Sequence, residues 1–132
     1  MILPPRPRMN ITWEVNNMTP REMAKCACLA LEDKKAEEIT ALDISGVSVL
    51  ADYFIIANGT NSNQVTAMAD SVDEALHKAG HPVKQMEGYR EGNWVLMDYG
   101  DIVVHVFDKE NRLFYDLERI WRDGQQVAIQ DL

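Results

Sequence analysis

The stretch that decides the fold is DYFIIAN, residues 52–58. Its middle five residues are apolar, and four of them are aromatic or β-branched types that strands favour. An alternating pattern would indicate a strand with one face in water, whereas a continuous apolar run indicates a strand covered on both faces. Residues 52–58 are therefore predicted to form a central strand that is buried on both faces of its sheet.

The residues after this strand predict a helix that packs on the sheet. Gly59 and Thr60 suit a turn, and residues 62–79 then carry apolar residues at helical spacing. The apolar stripe consists of Val65, Met68, Ala69, Val72, Leu76 and Ala79. Gly80 suits the position after a helix, and Pro82 prevents the helix from continuing.

Another helix is predicted before the central strand. Thr19 offers a capping hydroxyl, Pro20 suits the first helical position, and Glu22 completes a capping box. Apolar residues then recur at helical spacing to about Lys35, and a strand is predicted over residues 39–44.

Three strands and a last helix are predicted after residue 82. The strands cover residues 83–87, 93–98 and 101–107. Tyr99-Gly100 suits a two-residue hairpin loop between the last two, residues 110–122 show helical spacing, and residues 125–132 are expected to be a polar tail. The order α-β-β-α-β-β-β-α predicts a single α/β (α+β) domain with a mixed five-stranded sheet and helices packed on it.

The charge balance bears on the kind of partner. The chain has 13 Lys and Arg residues against 21 Asp and Glu residues, a net charge of −8. From Met18 onward the balance is −9, and the densest basic spot, Lys34-Lys35, is followed at once by Glu37-Glu38. A protein that grips nucleic acid needs clustered cations to replace phosphate counterions. The sequence therefore predicts no direct nucleic-acid site and favours a basic protein as the partner.

The cysteines and the ends of the chain indicate a cytoplasmic protein. Cys26 and Cys28 would point about 200° apart on a helix, so we expect buried thiols and no mutual disulfide. No apolar run approaches the roughly 18 residues of a membrane span, and residues 1–17 show no targeting pattern. We interpret residues 1–17 as a flexible N-terminal extension, 18–122 as the domain and 123–132 as a polar C-terminal tail.

Several collinear segments resemble one protein family. Residues 94–107 (WVLMDYGDIVVHVF) and 114–121 (FYDLERIW) closely resemble the signature of the RsfS/Iojap family of ribosomal silencing factors. The one departure is the N-terminal extension over residues 1–17. Further matches to the family are residues 42–44 (LDI), 51–60 (ADYFIIANGT) and 87–89 (EGY), so that residues 18–122 are covered in the right order.

The resemblance implies a nucleotidyltransferase-like α/β fold, usually in a homodimer. It also implies binding to the universal large-subunit ribosomal protein fourteen (uL14-type), which blocks joining of the small subunit and represses translation when nutrients are short. Organellar relatives act in ribosome assembly, so a role as a large-subunit assembly factor is left open.

A nucleotide-binding or nucleotidyl-transferring enzyme is the alternative from another class. Such enzymes need carboxylates on adjacent strands to hold Mg²⁺, commonly with Gly-Ser before a helix and Asp-x-Asp on a following strand. Gly59-Thr60 stands at the right kind of turn, but the chain has no Asp-x-Asp. His77 and His81 are separated by Gly80, which ends the helix, so shared zinc geometry is not expected. We predict no catalytic residue, no metal and no cofactor.

The predicted partner surface is the hairpin around residues 94–101, because Trp and Tyr are enriched at binding hot spots. Tyr99 is expected to project between carboxylates that suit a basic partner. His105 is expected to be either a buried, hydrogen-bonded core residue or a support beneath the surface. The sequence leaves open which face of strand 93–98 meets the partner. The candidate residues are Trp94, Leu96, Asp98, Tyr99, Gly100, Asp101 and His105, and family matching alone adds Glu87-Gly88-Tyr89 and Tyr115-Asp116 as weaker candidates.

Overall fold

The computed structural model describes residues 18–109 and 124–132. These residues form two α-helices, α1 at Pro20–Asp33 and α2 at Ser62–Lys78. The strands are β1 at Glu37–Asp43, β2 at Tyr53–Gly59, β3 at Gln85–Glu87, β4 at Trp94–Asp98, β5 at Ile102–Asp108 and β6 at Gln125–Val127. A short 3₁₀ helix, Ile129–Asp131, follows β6. The helix predicted over residues 110–122 lies outside the described residues.

The strands form one mixed sheet in the order β3-β4-β5-β2-β1-β6. β2 and β5 run parallel at its centre, and the other neighbouring strands are antiparallel. Every residue of β2 is buried, as the continuous apolar run over residues 52–58 predicts for a central strand. The mixed sheet of a single α+β domain is confirmed, with six strands rather than five.

The segment 125–132, predicted to be a polar tail, instead adds the sixth strand, so this part of the prediction is wrong. β6 pairs with the outer edge of β1. The Arg21 guanidinium donates to the Asp131 carbonyl oxygen at 2.7 Å, and the Lys25 ammonium donates to the Ile129 carbonyl oxygen at 3.1 Å. A strand of three residues shows no usable alternation, and the groups that hold it lie far away in the sequence.

Both described helices pack on the same face of the sheet. The predicted capping box starts α1: the Thr19 hydroxyl accepts from the Glu22 amide at 3.1 Å, and the Glu22 carboxylate accepts from the Thr19 amide at 2.9 Å. Met23 and Leu31 of α1 and Met68 of α2 join one buried cluster with the side chains that point to this side of β2, β4 and β5. The helices therefore leave the opposite side of the sheet to other contacts.

The β4–β5 hairpin turns one residue later than predicted. Asp98 pairs with Val103, and the Tyr99 amide donates to the Ile102 carbonyl oxygen at 3.0 Å. The loop therefore consists of Gly100 and Asp101 rather than Tyr99 and Gly100. Gly100 has φ +88°, a conformation that glycine adopts without steric cost and that two-residue hairpin loops require.

Candidate partner-binding surface

The side of the sheet that faces away from α1 and α2 carries a second apolar cluster. Within residues 18–109 and 124–132, no residue of either α-helix belongs to it. Its buried members are Leu42, Ile44, Ala51, Phe54, Ile56, Val103 and Phe107, with Trp94 and Leu96 partly buried against them. Strand alternation places Asp98 and His105 on the same side. We call this set of residues the Trp94 face.

Aromatic rings fill the centre of the Trp94 face. The Trp94 ring stacks on that of Phe107 at 5.3 Å between centroids, with 24° between the planes. It also stacks on His105 at 6.0 Å, and His105 meets Phe54 in a tilted arrangement at 5.0 Å. Such offset and tilted pairs are favourable beyond the area that they bury. The half-buried Trp94 is thus held by rings beneath it while part of its surface stays accessible.

His105 is buried and hydrogen-bonded to Trp94. Its side chain is 5% exposed, and its Nδ1 lies 3.2 Å from the indole Nε1 of Trp94. Because an indole N–H can only donate, Nδ1 accepts and the imidazole proton must sit on Nε2. This Nε2 is buried and has no hydrogen-bond partner among the described residues. Burial lowers the pKa of His105 to about 4, so the imidazole is neutral near pH 7.

Carboxylates lie at the edges of the Trp94 face, on β3 and at the β4–β5 loop. Glu87 stands opposite Leu96 in the strand register, and the Gln85 amide donates to the Glu87 carboxylate at 3.1 Å. Asp98 accepts from the Gly100 amide at 2.8 Å, and Asp101 beside it is exposed. An apolar patch with an acidic border suits a partner that offers apolar and basic groups together.

Tyr99 does not project from the hairpin, and this prediction is wrong. It is 4% exposed and belongs to the buried cluster under the helices. Because Tyr99 still pairs with Ile102, it continues the alternation of β4, in which Val95 and Met97 also point towards the helices. Burial raises the pKa of the Tyr99 hydroxyl, as does the nearby Asp73 carboxylate. Its hydroxyl makes no hydrogen bond of good geometry within residues 18–109 and 124–132, so Asp73 is a near neighbour rather than a bonded acceptor.

In the matched segment Glu87-Gly88-Tyr89, Gly88 lies against the backbone of the Trp94 face, whereas Tyr89 points elsewhere. Gly88 has φ +80°, and a Cβ atom added to it would collide with the carbonyl oxygen of Trp94. Gly88 thus lets the chain pass directly behind the backbone of Trp94. Tyr89 turns away from that face, because its hydroxyl donates to Asp70 of α2 at 2.8 Å. Tyr115-Asp116 lies outside the described residues.

An apolar loop near the Trp94 face escaped the sequence reasoning. Val47, Val49 and Leu50, between β1 and β2, are exposed by 56%, 103% and 75%. Ile44 and Ala51, at the two ends of this loop, are buried in the Trp94 face. The signal available in the sequence was an apolar run placed where a turn was predicted, since exposed apolar side chains that cluster in a loop are typical of contact surfaces.

Side chains of the turn before α2 and of the first turn of that helix hydrogen-bond to the backbone around them. Gln64 accepts from the Thr60 amide at 2.7 Å and donates to the carbonyl oxygens of Lys34 and Lys35 at 3.0 and 3.1 Å. The Asn61 side chain accepts from the Gln64 amide at 2.9 Å, which caps the helix. Two of the amides near this helix N-terminus, those of Thr60 and Gln64, are therefore engaged by side chains rather than left for an anion.

Within residues 18–109 and 124–132, no three His, Cys, Asp or Glu side chains are placed to share a metal ion. Cys26 and Cys28 form no disulfide, and burial raises the pKa of Cys28 to about 12, which disfavours a reactive thiolate. No helix in this part of the chain is long and apolar enough to span a bilayer.

Comparison with known proteins places the chain in a family. The family model described as "Ribosomal silencing factor during starvation" matches residues 17–132. A Bacillus subtilis protein named "Ribosomal silencing factor RsfS" is 46% identical over 107 residues, which cover 81% of this chain and 91% of that protein. A protein of the same name from Halalkalibacterium halodurans is 41% identical over 113 residues, covering 86% of this chain and 97% of that protein. A crystal structure of a Chromobacterium violaceum protein, 41% identical, gives a TM-score of 0.77 and covers 84% of this chain and 92% of that one. The chain belongs to the ribosomal silencing factor family.

Proposed function

We propose that this protein represses translation by binding the large ribosomal subunit through its universal protein fourteen (uL14-type). The bound protein then blocks joining of the small subunit by occupying the space between the subunits. The observation that carries the proposal is membership of the family of ribosomal silencing factors over residues 17–132. The proposal includes action in the cytoplasm and, as the family resemblance implies, a homodimer.

The Trp94 face is the contact surface in this proposal. It combines partly accessible Trp94 and Leu96 with the exposed carboxylates of Glu87 and Asp101. Aromatic anchors of this kind dominate binding energies when a partner covers them, and an acidic border draws a basic protein. Tyr99 and Gly100 support this surface without contacting the partner. Tyr99 fills the core under β4, and Gly100 shapes the β4–β5 loop.

Binding without catalysis is part of the proposal. The Thr60 amide at this turn donates to the Gln64 side chain, and the sequence has no Asp-x-Asp to hold a metal ion. Asp98 is engaged with the Gly100 amide, as turn chemistry requires. Calorimetry with ATP and Mg²⁺ is expected to give no binding heat, and measurable turnover would contradict this part.

The contact surface is tested with matched leucine variants. Leu96→Ala and Trp94→Ala are expected to weaken binding to purified protein fourteen by at least about thirtyfold, which corresponds to the loss of a hot-spot residue. Leu29→Ala serves as the control, because Leu29 is 49% exposed on the helix side and lies away from the Trp94 face. Interferometry with immobilised protein fourteen measures all three. Wild-type affinity in folded Leu96→Ala and Trp94→Ala variants would show that the surface lies elsewhere.

Sucrose gradients separate repression from a role in assembly. Added to finished ribosomes, a repressor of joining shifts 70S particles towards free subunits. An assembly factor leaves finished particles unchanged, and that outcome would favour the assembly role instead.

A further inference from the structure

The further inference concerns His105 and rests on the proposed function. The Trp94 indole meets His105 through two kinds of contact, the hydrogen bond from Nε1 to Nδ1 at 3.2 Å and ring stacking at 6.0 Å. A stack alone leaves a ring able to slide or turn, whereas the hydrogen bond also fixes which edge of the indole points inward. The indole is therefore held in one orientation from below.

The arrangement has a cost on the other side of the imidazole ring. When Nδ1 accepts, Nε2 carries the proton, and this buried donor has no acceptor in the part of the chain that the structure describes. Buried polar groups in folded proteins are nearly always paired, and an unpaired donor is unfavourable because it has lost its water. An apolar residue of similar size between Phe54 and Phe107 would avoid this cost. Packing therefore does not explain the histidine, and what it uniquely supplies at this position is the acceptor for Trp94.

We infer that His105 is a positioning residue of the Trp94 face, whose Nδ1 holds the Trp94 indole in the orientation in which it meets the partner. The imidazole itself is too deeply buried to contact the partner protein, since His105 is 5% exposed. It acts through Trp94, which is partly accessible at the surface. Preorganising an aromatic anchor in this way raises affinity because less side-chain freedom is lost on binding.

Two variants isolate the hydrogen bond. His105→Phe keeps a ring between Phe54 and Phe107 but removes both nitrogens. His105→Asn places an amide oxygen where Nδ1 stood and so restores an acceptor. We expect His105→Phe to weaken binding to protein fourteen by about tenfold while its stability to urea equals or exceeds that of the wild type. His105→Asn recovers most of the affinity, a rescue that a merely structural role would not produce.

The coupling to Trp94 is tested by combining His105→Phe with Trp94→Phe, which lacks the indole N–H. If His105 acts through that N–H, His105→Phe causes no further loss of affinity in the Trp94→Phe background. An equal tenfold loss in both backgrounds, or wild-type affinity in His105→Phe alone, overturns the inference.

A readout without the partner keeps the two proposals apart. The indole ¹H–¹⁵N signal of Trp94, assigned by its disappearance in Trp94→Phe, is expected to shift in His105→Phe and to exchange faster with water. An unchanged signal refutes the hydrogen bond and with it the inference. If His105→Phe shifts the signal but the wild-type protein does not bind protein fourteen, the proposed function is refuted. The contact between His105 and Trp94 then stands without that partner.

Discussion

Gly88 shows how a residue outside the proposed contact surface controls the geometry of that surface. Its backbone passes so close to Trp94 that no side chain fits between them, and its φ of +80° is one that other residues adopt only with strain. Position 88 therefore requires glycine for two reasons, the lack of space for a side chain and the positive φ. Together they explain in physical terms why a glycine stands between Glu87 and Tyr89, although neither neighbour needs it for its own contacts.

Gly88→Ala is expected to destabilise the fold by more than about 2 kcal/mol, because the strain at positive φ and the collision with the Trp94 carbonyl oxygen add up. Gly46→Ala is the matched control, since a Cβ there meets no atom within 4 Å and its φ is not positive. Its effect should stay within about 0.5 kcal/mol. Urea unfolding followed by circular dichroism measures both. Equal effects in the two variants would mean that the chain relaxes around residue 88.

Secondary-structure elements could be predicted from the sequence where residues close together in the chain determine them. The α1 capping box and the buried run of β2 were predictable, because hydrogen-bonding groups and apolar spacing within a few residues determine them. β6 was not, since the strand with which it pairs and the α1 side chains that bond to the residues after it lie far away in the sequence. Tyr99 was placed on the wrong side because a one-residue error in the loop reverses the direction of a strand side chain.

Arg21 of α1 links the 3₁₀ helix that follows β6 to β2. Its guanidinium reaches the Asp131 carbonyl oxygen at 2.7 Å and the Tyr53 hydroxyl at 3.2 Å. Arg21→Ala is expected to let β6 open locally, so that the amides where β1 pairs with β6 exchange at least about tenfold faster with deuterium. Arg90→Ala removes an exposed arginine that makes no contact with β6 and is expected to leave this exchange unchanged. Equal protection of β1 in both variants would show that strand pairing alone holds β6.

The net negative charge of the whole molecule favours a basic partner. A net charge of −8 on 132 residues creates a field that attracts basic proteins and repels nucleic acid. The Trp94 face concentrates this effect, because Glu87 and Asp101 border an apolar patch where the local dielectric is low. Under the proposed function, long-range attraction therefore governs how fast the partner approaches, while the aromatic contacts of the Trp94 face govern how long it stays bound.

This division predicts a salt-dependent association rate with protein fourteen. Raising NaCl from 50 to 500 mM, about a threefold drop in screening length, should slow association by tenfold or more and change dissociation little. Glu87→Lys combined with Asp101→Lys should slow association and flatten the salt dependence. Glu32→Lys combined with Asp33→Lys alters the net charge equally, from −8 to −4, but at the end of α1. Stopped-flow fluorescence measures both pairs. Because steering depends on where the charge lies as well as on its sum, the first pair must lose more than the second; equal losses would show that only the total charge of the protein matters.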